Sequence, residues 1–327
     1  MAGTLVKPVS AISATVLTQA ALCLTPGAAG FISQVTGLAS AVGVPTEQVT
    51  ARLRAPWRWL PLQGVPLFKH VLNFELPSDP PRLIVSCGRQ AVVPSLILKR
   101  RFGPRVFTVH IQDPTIRSTN FDLVIAPEHD CVSGPNVMQT AGAIHHITAE
   151  KLDAVRNHSE PFEHTGSFAA VILGGPNRYY DFSSTDVDRL IANLRPVAER
   201  TQLVIVTSRR TPSTAVQKLR SNFGSEHFIW DGGDNNPYLY CLAAASHIIV
   251  TADSVSMLTE AAATGKPVYM VDLTERRRAT RFRRFHQSFH RRGYVRTFDG
   301  ELDHWDYEPP NDTARIAQYI RSELGLQ

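Results

Sequence analysis

The chain has 327 residues, 43% hydrophobic and 19% charged, which excludes wholesale disorder and suffices for about two domains of ordinary size. Lys and Arg number 34 against 29 Asp and Glu, a net charge of +5. This mild excess suits anionic ligands but falls far short of a polybasic protein, so no nucleic acid is expected as a partner.

Residues 8–46 contain no Asp, Glu, Lys or Arg. The stretch 9–24 is apolar, yet Ser10, Ser13, Thr15, Thr18 and Gln19 interrupt it, and Lys7 alone precedes it. It is too polar for a membrane span and has too weak a basic region for a signal peptide, so it reads as a lead-in to a first strand. Whether its first 19 residues are a targeting segment stays open at this level. That first strand is expected over 20–25, with a helix running to about 42. Strands follow over 82–86 (RLIVS), 106–112 and 122–126, with a helix over 90–101. After a loop-rich stretch come a strand over 168–173, a helix over 185–200, a strand over 203–207 (LVIVT) and a helix over 214–221. The pattern continues with a strand at 227–230, a helix at 238–245, a strand at 247–250, a helix at 254–264 and a strand at 267–271. An Arg-rich helix over 275–292 and a last helix over 313–324 complete it.

Apolar strands alternating with helices through short connections indicate parallel sheets covered on both faces. The chain is therefore expected to be α/β, with two doubly wound, Rossmann-like domains facing a cleft. The expected domains are residues 1–160 and 161–327, joined by the polar HSEPFEHTG at 158–166, with the last helix packing back on the first domain. Cys23, Cys87, Cys131 and Cys241 are scattered and form no CxxC, which reads as buried thiols in a reducing compartment. A cytoplasmic location, peripheral to a membrane at most, is the corresponding expectation.

In open parallel sheets ligands bind beyond the carboxyl ends of the strands, and the informative residues follow strands here. The first loop, TPGAAG, offers Gly27 and Gly30 for close backbone approach, although a structural tight turn explains them as well. Arg89 opens a helix after SCG, where it and the helix amides would suit an anion. His110, the EHD triplet Glu128, His129 and Asp130, and Asn136 each lie in or near a strand end. One or two members of the triplet would supply a general base. In the second half, Gly174 and Gly175 follow a strand, and Ser208, Arg209 and Arg210 follow the next, a reasonable diphosphate clamp. Asn236 before Pro237 would cap a helix. The strongest signal is TADSVSMLTEA at 251–261. Asp253 or Ser254 would cap the helix, Ser256 and the first-turn amides would face a phosphate, and Glu260 would grip a ribose diol. The helix at 275–292 interleaves Arg276, Arg277, Arg278, Arg281, Arg283, Arg284, Arg291 and Arg292 with Phe282, Phe285 and Phe289. The Phe positions fall on one helical face that must be buried. The Arg face could meet an anionic membrane surface or an acidic protein. No metal site is expected, because His286 and His290 have no third ligand in sight.

Together FDLVIAPEHDCVSGPN, TADSVSMLTEA and RFRRFHQSFHRRG, with SCGR and GGP, resemble the mitochondrial fission protein family named for elongated mitochondria, which includes bacterial members. The resemblance spans about residues 20–300. It implies a fold like the GT-B glycosyltransferases. The 252–268 segment is similar to the donor-binding segment of a lipid-linked N-acetylglucosaminyltransferase, where a glutamate in the position of Glu260 holds the ribose. It implies equally, from plant members, an adaptor role in recruiting a dynamin-related protein. Bacterial members are often labelled nucleoside-diphosphate-sugar epimerases, but neither the Tyr-x-x-x-Lys pair nor the GxxGxxG loop of short-chain epimerases is found here in a suitable setting. The first glycine loop departs from the family, carrying Pro26 and Ala28 where acidic and lysine residues are usual.

Two functions are therefore expected. One is a metal-independent glycosyltransferase, without a resident cofactor, that binds a nucleotide-sugar or other phosphorylated small molecule in the cleft. The donor would lie against Gly174, Gly175, Ser208–Arg210, Asn236 and Asp253–Glu260, and the acceptor against Gly27, Gly30, Arg89, His110 and Asn136. The other is a non-catalytic adaptor that uses the Arg-rich helix.

Overall fold

The computed structural model describes residues 20–158, 161–164 and 166–326. The lead-in at 1–19 lies outside the described residues, as do positions 159, 160 and 165 of the polar join. The chain divides into two compact units, one made of the chain up to His146 together with the segment from Asn311 onward, the other of Ile147–Pro310.

The first unit is built on strands β1 (Ala21–Thr25), β2 (Thr46–Thr50), β3 (Leu83–Cys87), β4 (Phe107–Ile111), β5 (Leu123–Pro127) and β6 (Val137–Thr140). They pair in parallel in the order β2-β1-β3-β4-β5-β6. Every residue of β1, β3 and β5 is buried, as required of strands covered on both faces. Helices α1 (Ala29–Val42) and α2 (Arg89–Phe102) follow β1 and β3.

The second unit contains α3 (Ala149–Arg156), β7 (Phe168–Ile172), α4 (Ser184–Ala198), β8 (Gln202–Val206), α5 (Ser213–Phe223) and β9 (Phe228–Trp230). It continues with α6 (Tyr238–Ala244), β10 (His247–Thr251), α7 (Val255–Ala262), β11 (Val268–Val271), α8 (Thr280–Arg291) and β12 (Arg296–Thr297). Its sheet is again parallel, in the order β12-β11-β10-β7-β8-β9. Helix α9 (Asp312–Glu323) belongs to the first unit. Its Ile316, Ala317 and Ile320 share a core with Val35, Leu38 and Val42 of α1, and Asp312 Oδ2 accepts from the Ala141 amide at 2.7 Å.

Several local features differ from the sequence expectation. Strands β2, β6 and β12 lie at sheet edges, where one flank is solvated, so TEQVT, VMQT and RT lack the continuous apolar run of an interior strand. The Arg-rich helix starts at Thr280, not 275, because Glu275 is extended and bridges Tyr180. The polar join lies inside the second unit, where Phe162 is buried and stacked on Phe228 at 4.8 Å. Cys23, Cys87 and Cys241 are buried but Cys131 is exposed, and burial pushes the Cys23 thiol up to about 12. No helix among the described residues is long and apolar enough to cross a membrane.

Helix α4 starts with a reciprocal cap. Ser183 Oγ accepts from the Asp186 amide, and Asp186 Oδ2 accepts from the Ser183 amide at 2.9 Å. Ser183→Ala is expected to lower stability by about 1 kcal/mol, measured as a lower urea midpoint.

Candidate functional site

The loops at the carboxyl end of the second sheet are fixed by one polar network. Gly174 and Gly175 follow β7. A Cβ on Gly174 would lie 2.2 Å from Asp253 Oδ2, and one on Gly175 would lie 2.2 Å from the Arg210 carbonyl oxygen. Close approach alone thus demands glycine at both positions. The Asp253 carboxylate, fully buried, accepts from the Gly175 amide at 3.1 Å and the Thr251 hydroxyl at 2.7 Å, and pairs with Arg210 Nη2 at 2.7 Å. The Thr251 hydroxyl in turn accepts from the Gly174 amide at 2.8 Å. Arg210 Nη1 donates to the Gly175 carbonyl at 2.8 Å, and the Ser208 and Thr211 hydroxyls both donate to the Gly174 carbonyl, at 2.8 and 2.5 Å. Asn177 Nδ2 closes the set on the Asp253 carbonyl at 3.1 Å. Gly174, Gly175, Ser208, Arg210 and Asp253 are therefore brought together, but their polar groups largely satisfy one another. Asp253 and Arg210 thus make a brace between the loops that follow β7, β8 and β10.

Helix α7 emerges from this brace. Ser254, not Asp253, is its cap, with Ser254 Oγ accepting from the Met257 amide at 3.3 Å. The amides of Val255 and Ser256 and the Ser256 hydroxyl are the remaining first-turn donors, in partly exposed residues. Arg209, beside Arg210, is exposed. Further along α7, Glu260 is only 7% exposed and accepts a short hydrogen bond from the Tyr238 hydroxyl. Burial raises its pKa, against the opposing pull of Tyr238 and the Lys151 charge. Burial also raises Tyr238 well above its ordinary value and lowers Lys151. Asn236 does not take the cap position itself. Pro237 does, and Asn236 Oδ1 accepts from the Tyr238 amide at 2.9 Å, which fixes the residue that holds Glu260.

A recess of about 290 Å³ lies at the end of β11, lined in part by Tyr180, Asp272, Glu275, Arg283, His286 and His290. Its lining mixes both signs, and Arg283 Nη2 is already paired with Glu275 at 2.7 Å, so it is ill suited to a diphosphate. His286 of this recess is engaged within the protein. Its Nε2 lies 3.0 Å from the Ala252 carbonyl and burial lowers it to about 4.

The expected acceptor residues of the first unit converge only in part: Gly30 and Arg89 follow the neighbouring strands β1 and β3, where a Cβ on Gly88 would lie 3.3 Å from the Phe31 ring, whereas His110 and Asn136 do not join them. Gly27 has φ +96 in a turn, with Arg52 donating to the Pro26 carbonyl at 2.9 Å. Gly30 has nothing within 4 Å of where a Cβ would stand, so no close approach explains it. Arg89 Nη2 donates to the Leu60 carbonyl at 2.6 Å. His110 is a core residue: completely buried inside β4, it is 2.9 Å from Ser86 Oγ, stacks on Phe121 at 5.1 Å and is lowered to about 3 by burial. Asn136 precedes β6, at its amino end, and pins the 118–121 turn through the Ser118 and Phe121 carbonyls. In the EHD triplet, the His129 and Asp130 side chains are buried and face each other at 3.7 Å, while Glu128 is half-buried.

The family described as Mitochondrial fission ELM1 matches residues 29–324. The Mitochondrial fission protein ELM1 of Arabidopsis thaliana is 31% identical over 76% of this chain. The chain belongs to the mitochondrial fission ELM1 family. It spans 65% of the plant protein's length. The uncharacterized protein RP120 of Rickettsia prowazekii is 28% identical over 76% of this chain and 81% of its own. The fold is similar to UDP-GlcNAc 2-epimerase from Neisseria meningitidis bound to UDP-GlcNAc (TM-score 0.51, 13% identity, 93% of this chain and 99% of that one). It is likewise similar to the glycotransferase of kitacinnamycin (TM-score 0.50, 12% identity, 94% and 92%). At such identities the likeness is one of architecture: two parallel α/β sheets of GT-B type.

In this ELM1-family chain, sequence reasoning gave no role to Thr251, Thr211, Asn177 and Tyr238, which lie within the motifs, and missed Lys151 altogether. Tyr238 carried a signal, since the Asn-Pro step before it starts a helix at a strand's carboxyl end. Thr251 and Thr211 look like ordinary strand-end and turn residues, and Lys151 sits on a helix the sequence did not announce.

Proposed function

We propose that the chain binds a nucleoside-diphosphate sugar, or a similar phosphorylated nucleotide, along the carboxyl edge of the second sheet. The observation that carries this reading is Glu260, an ionisable carboxylate buried two turns behind the partly exposed tip of α7. A helix that served only the core would gain nothing from a carboxyl group whose burial raises its pKa. The diphosphate would meet the Val255 and Ser256 amides and Arg209, and the ribose hydroxyls would donate to Glu260. The UDP-GlcNAc held by the Neisseria protein of similar fold makes UDP-sugars the first ligands to test. In a glycosyl transfer the helix tip and Arg209 would offset the charge of the departing diphosphate.

Calorimetry with UDP-, GDP- and ADP-sugars is the test. Glu260→Gln is expected to weaken binding by about 10- to 100-fold, the loss of charge-assisted hydrogen bonds, while Glu128→Gln leaves affinity unchanged. Because the Glu260 pKa is raised, its charged form is present only above that value. Affinity should therefore fall on acidification at a higher pH than an ordinary carboxylate would give, and Glu260→Gln should abolish that dependence. The linkage to stability has the opposite sign: a raised carboxyl pKa costs stability above the folded value, so Glu260→Gln should not destabilise the unliganded protein at neutral pH. No heat with any of the three nucleotide-sugars, or equal affinity in Glu260→Gln, overturns the reading.

A second reading is an adaptor for an acidic protein. It is favoured by the exposure of Arg276, Arg277, Arg278, Arg281, Arg284, Arg291 and Arg292 in and around α8, whose Phe285 and Phe289 are buried.

A further inference from the structure

Between β2 and β3 the chain leaves the sheet in a long excursion. Leu53 and Leu72 form an antiparallel bridge, and the Arg54 amide donates to the Val71 carbonyl at 2.8 Å, closing residues 54–71 into a loop. The loop is anchored. Leu53, Leu62, Val65, Val71 and Leu72 are all buried in a core shared with Val92, Val93 and Ile97 of α2, and Arg89 holds the Leu60 carbonyl. Short turns built on bonds such as Gly64 N to the Pro61 carbonyl at 3.0 Å brace it further.

On this anchored platform, Trp59 is 68% exposed, Phe68 50% and Leu60 36%. Among the described residues only Tyr319 joins them as a large exposed hydrophobic residue. Scattered exposed apolar side chains need no explanation, but three within ten residues of one braced loop do. The same loop buries Leu62 and Val65, so it is not detached from the core. The charge around them has one sign. No Asp or Glu occurs between Glu47 and Glu75, whereas Arg54, Arg58 and Lys69 are exposed within the loop. The Arg58 guanidinium lies over the Trp59 ring, 4.5 Å from its centroid. Indole and phenyl groups set among cations match the apolar–anionic boundary of a lipid surface, where Trp settles at headgroup depth and each nearby Lys or Arg adds attraction.

We infer that the 54–71 loop docks the protein on an anionic lipid surface, with Trp59, Leu60 and Phe68 entering the headgroup region and Arg54, Arg58 and Lys69 facing lipid phosphates. The Arg-rich α8 does not offer this combination, because Phe285 and Phe289 are turned into the core, Phe282 packs against it, and none of the helix's exposed side chains is apolar. The inference stands independently of nucleotide binding.

Co-sedimentation of the full chain with vesicles tests it, using phosphatidylglycerol and phosphatidylcholine in equal parts against phosphatidylcholine alone. Binding is expected to the mixed vesicles only and to weaken with added salt. The double substitution Trp59→Ser with Phe68→Ser should reduce the partition coefficient at least tenfold, and Arg54→Ser, Arg58→Ser and Lys69→Ser about fivefold each. All five side chains are exposed, and circular dichroism checks that the variants stay folded. Arg281→Ser with Arg284→Ser should leave the partition unchanged. No binding to mixed vesicles, undiminished binding by the Trp59 and Phe68 variant, or loss of binding through the α8 substitutions each overturns the inference.

Discussion

Asp253→Ala is expected to destabilise the second unit by about 3 kcal/mol and to abolish the proposed nucleotide binding, although the carboxylate makes no contact with solvent. The substitution removes the acceptor of the Gly175 amide and the Thr251 hydroxyl together. Each donor orphaned in a buried site costs about 1–3 kcal/mol. Arg210 adds little to that cost, because its side chain is 40% exposed and can rehydrate. Binding fails for a geometric reason: the loops after β7 and β8 and the tip of α7 lose the brace that holds them in register. Denaturant unfolding and nucleotide calorimetry on the same variant measure both effects. Asp253→Asn keeps one acceptor oxygen and should fall between. A variant as stable as the native protein would show that the network is not what fixes the site.

The second large effect is expected at the adjoining glycines. Gly175→Ala would set a methyl group 2.2 Å from the Arg210 carbonyl oxygen and 2.4 Å from its carbon, both main-chain atoms that cannot rotate away. Overpacking of this kind costs about 1–3 kcal/mol, and more against backbone. Taking about 3 kcal/mol, the thermal midpoint should drop by roughly 6–12 °C. Gly30→Ala is the matched control. It lies in the first turn of α1 with nothing within 4 Å, so the midpoint should hold or rise slightly. Equal behaviour of the two variants would refute the packing argument.

These two glycine positions show how far the sequence could be read. GGP after a strand and TPGAAG after another look alike as strings, each offering backbone close to a ligand. The structure separates them. Gly174 and Gly175 are pressed against Asp253 and Arg210 from loops about 35 and 80 residues distant, whereas Gly30 faces open space. No local pattern encodes such a difference. His110 is a similar case. Its place near a strand end suggested an acceptor contact, but strand β4 extends through Ile111, and the register of β4 beside Ser86 and Val124 turns the imidazole into the core. The edge strands β2, β6 and β12 were illegible for another reason: with one flank open to solvent they need no apolar run.

The sequence by itself determined the α/β alternation, the parallel sheets, the GT-B-like architecture and the membership of the ELM1 family. Strands covered on both faces must be continuous apolar runs, and motifs at their ends survive as strings. Only the tertiary structure decided which polar side chains are engaged within the protein and which face outward. That choice depends on partners brought from distant loops. Asp253 and Arg210 are drawn into a brace, Glu260 is buried beside Tyr238, and Trp59 and Phe68 are left in water on an anchored loop.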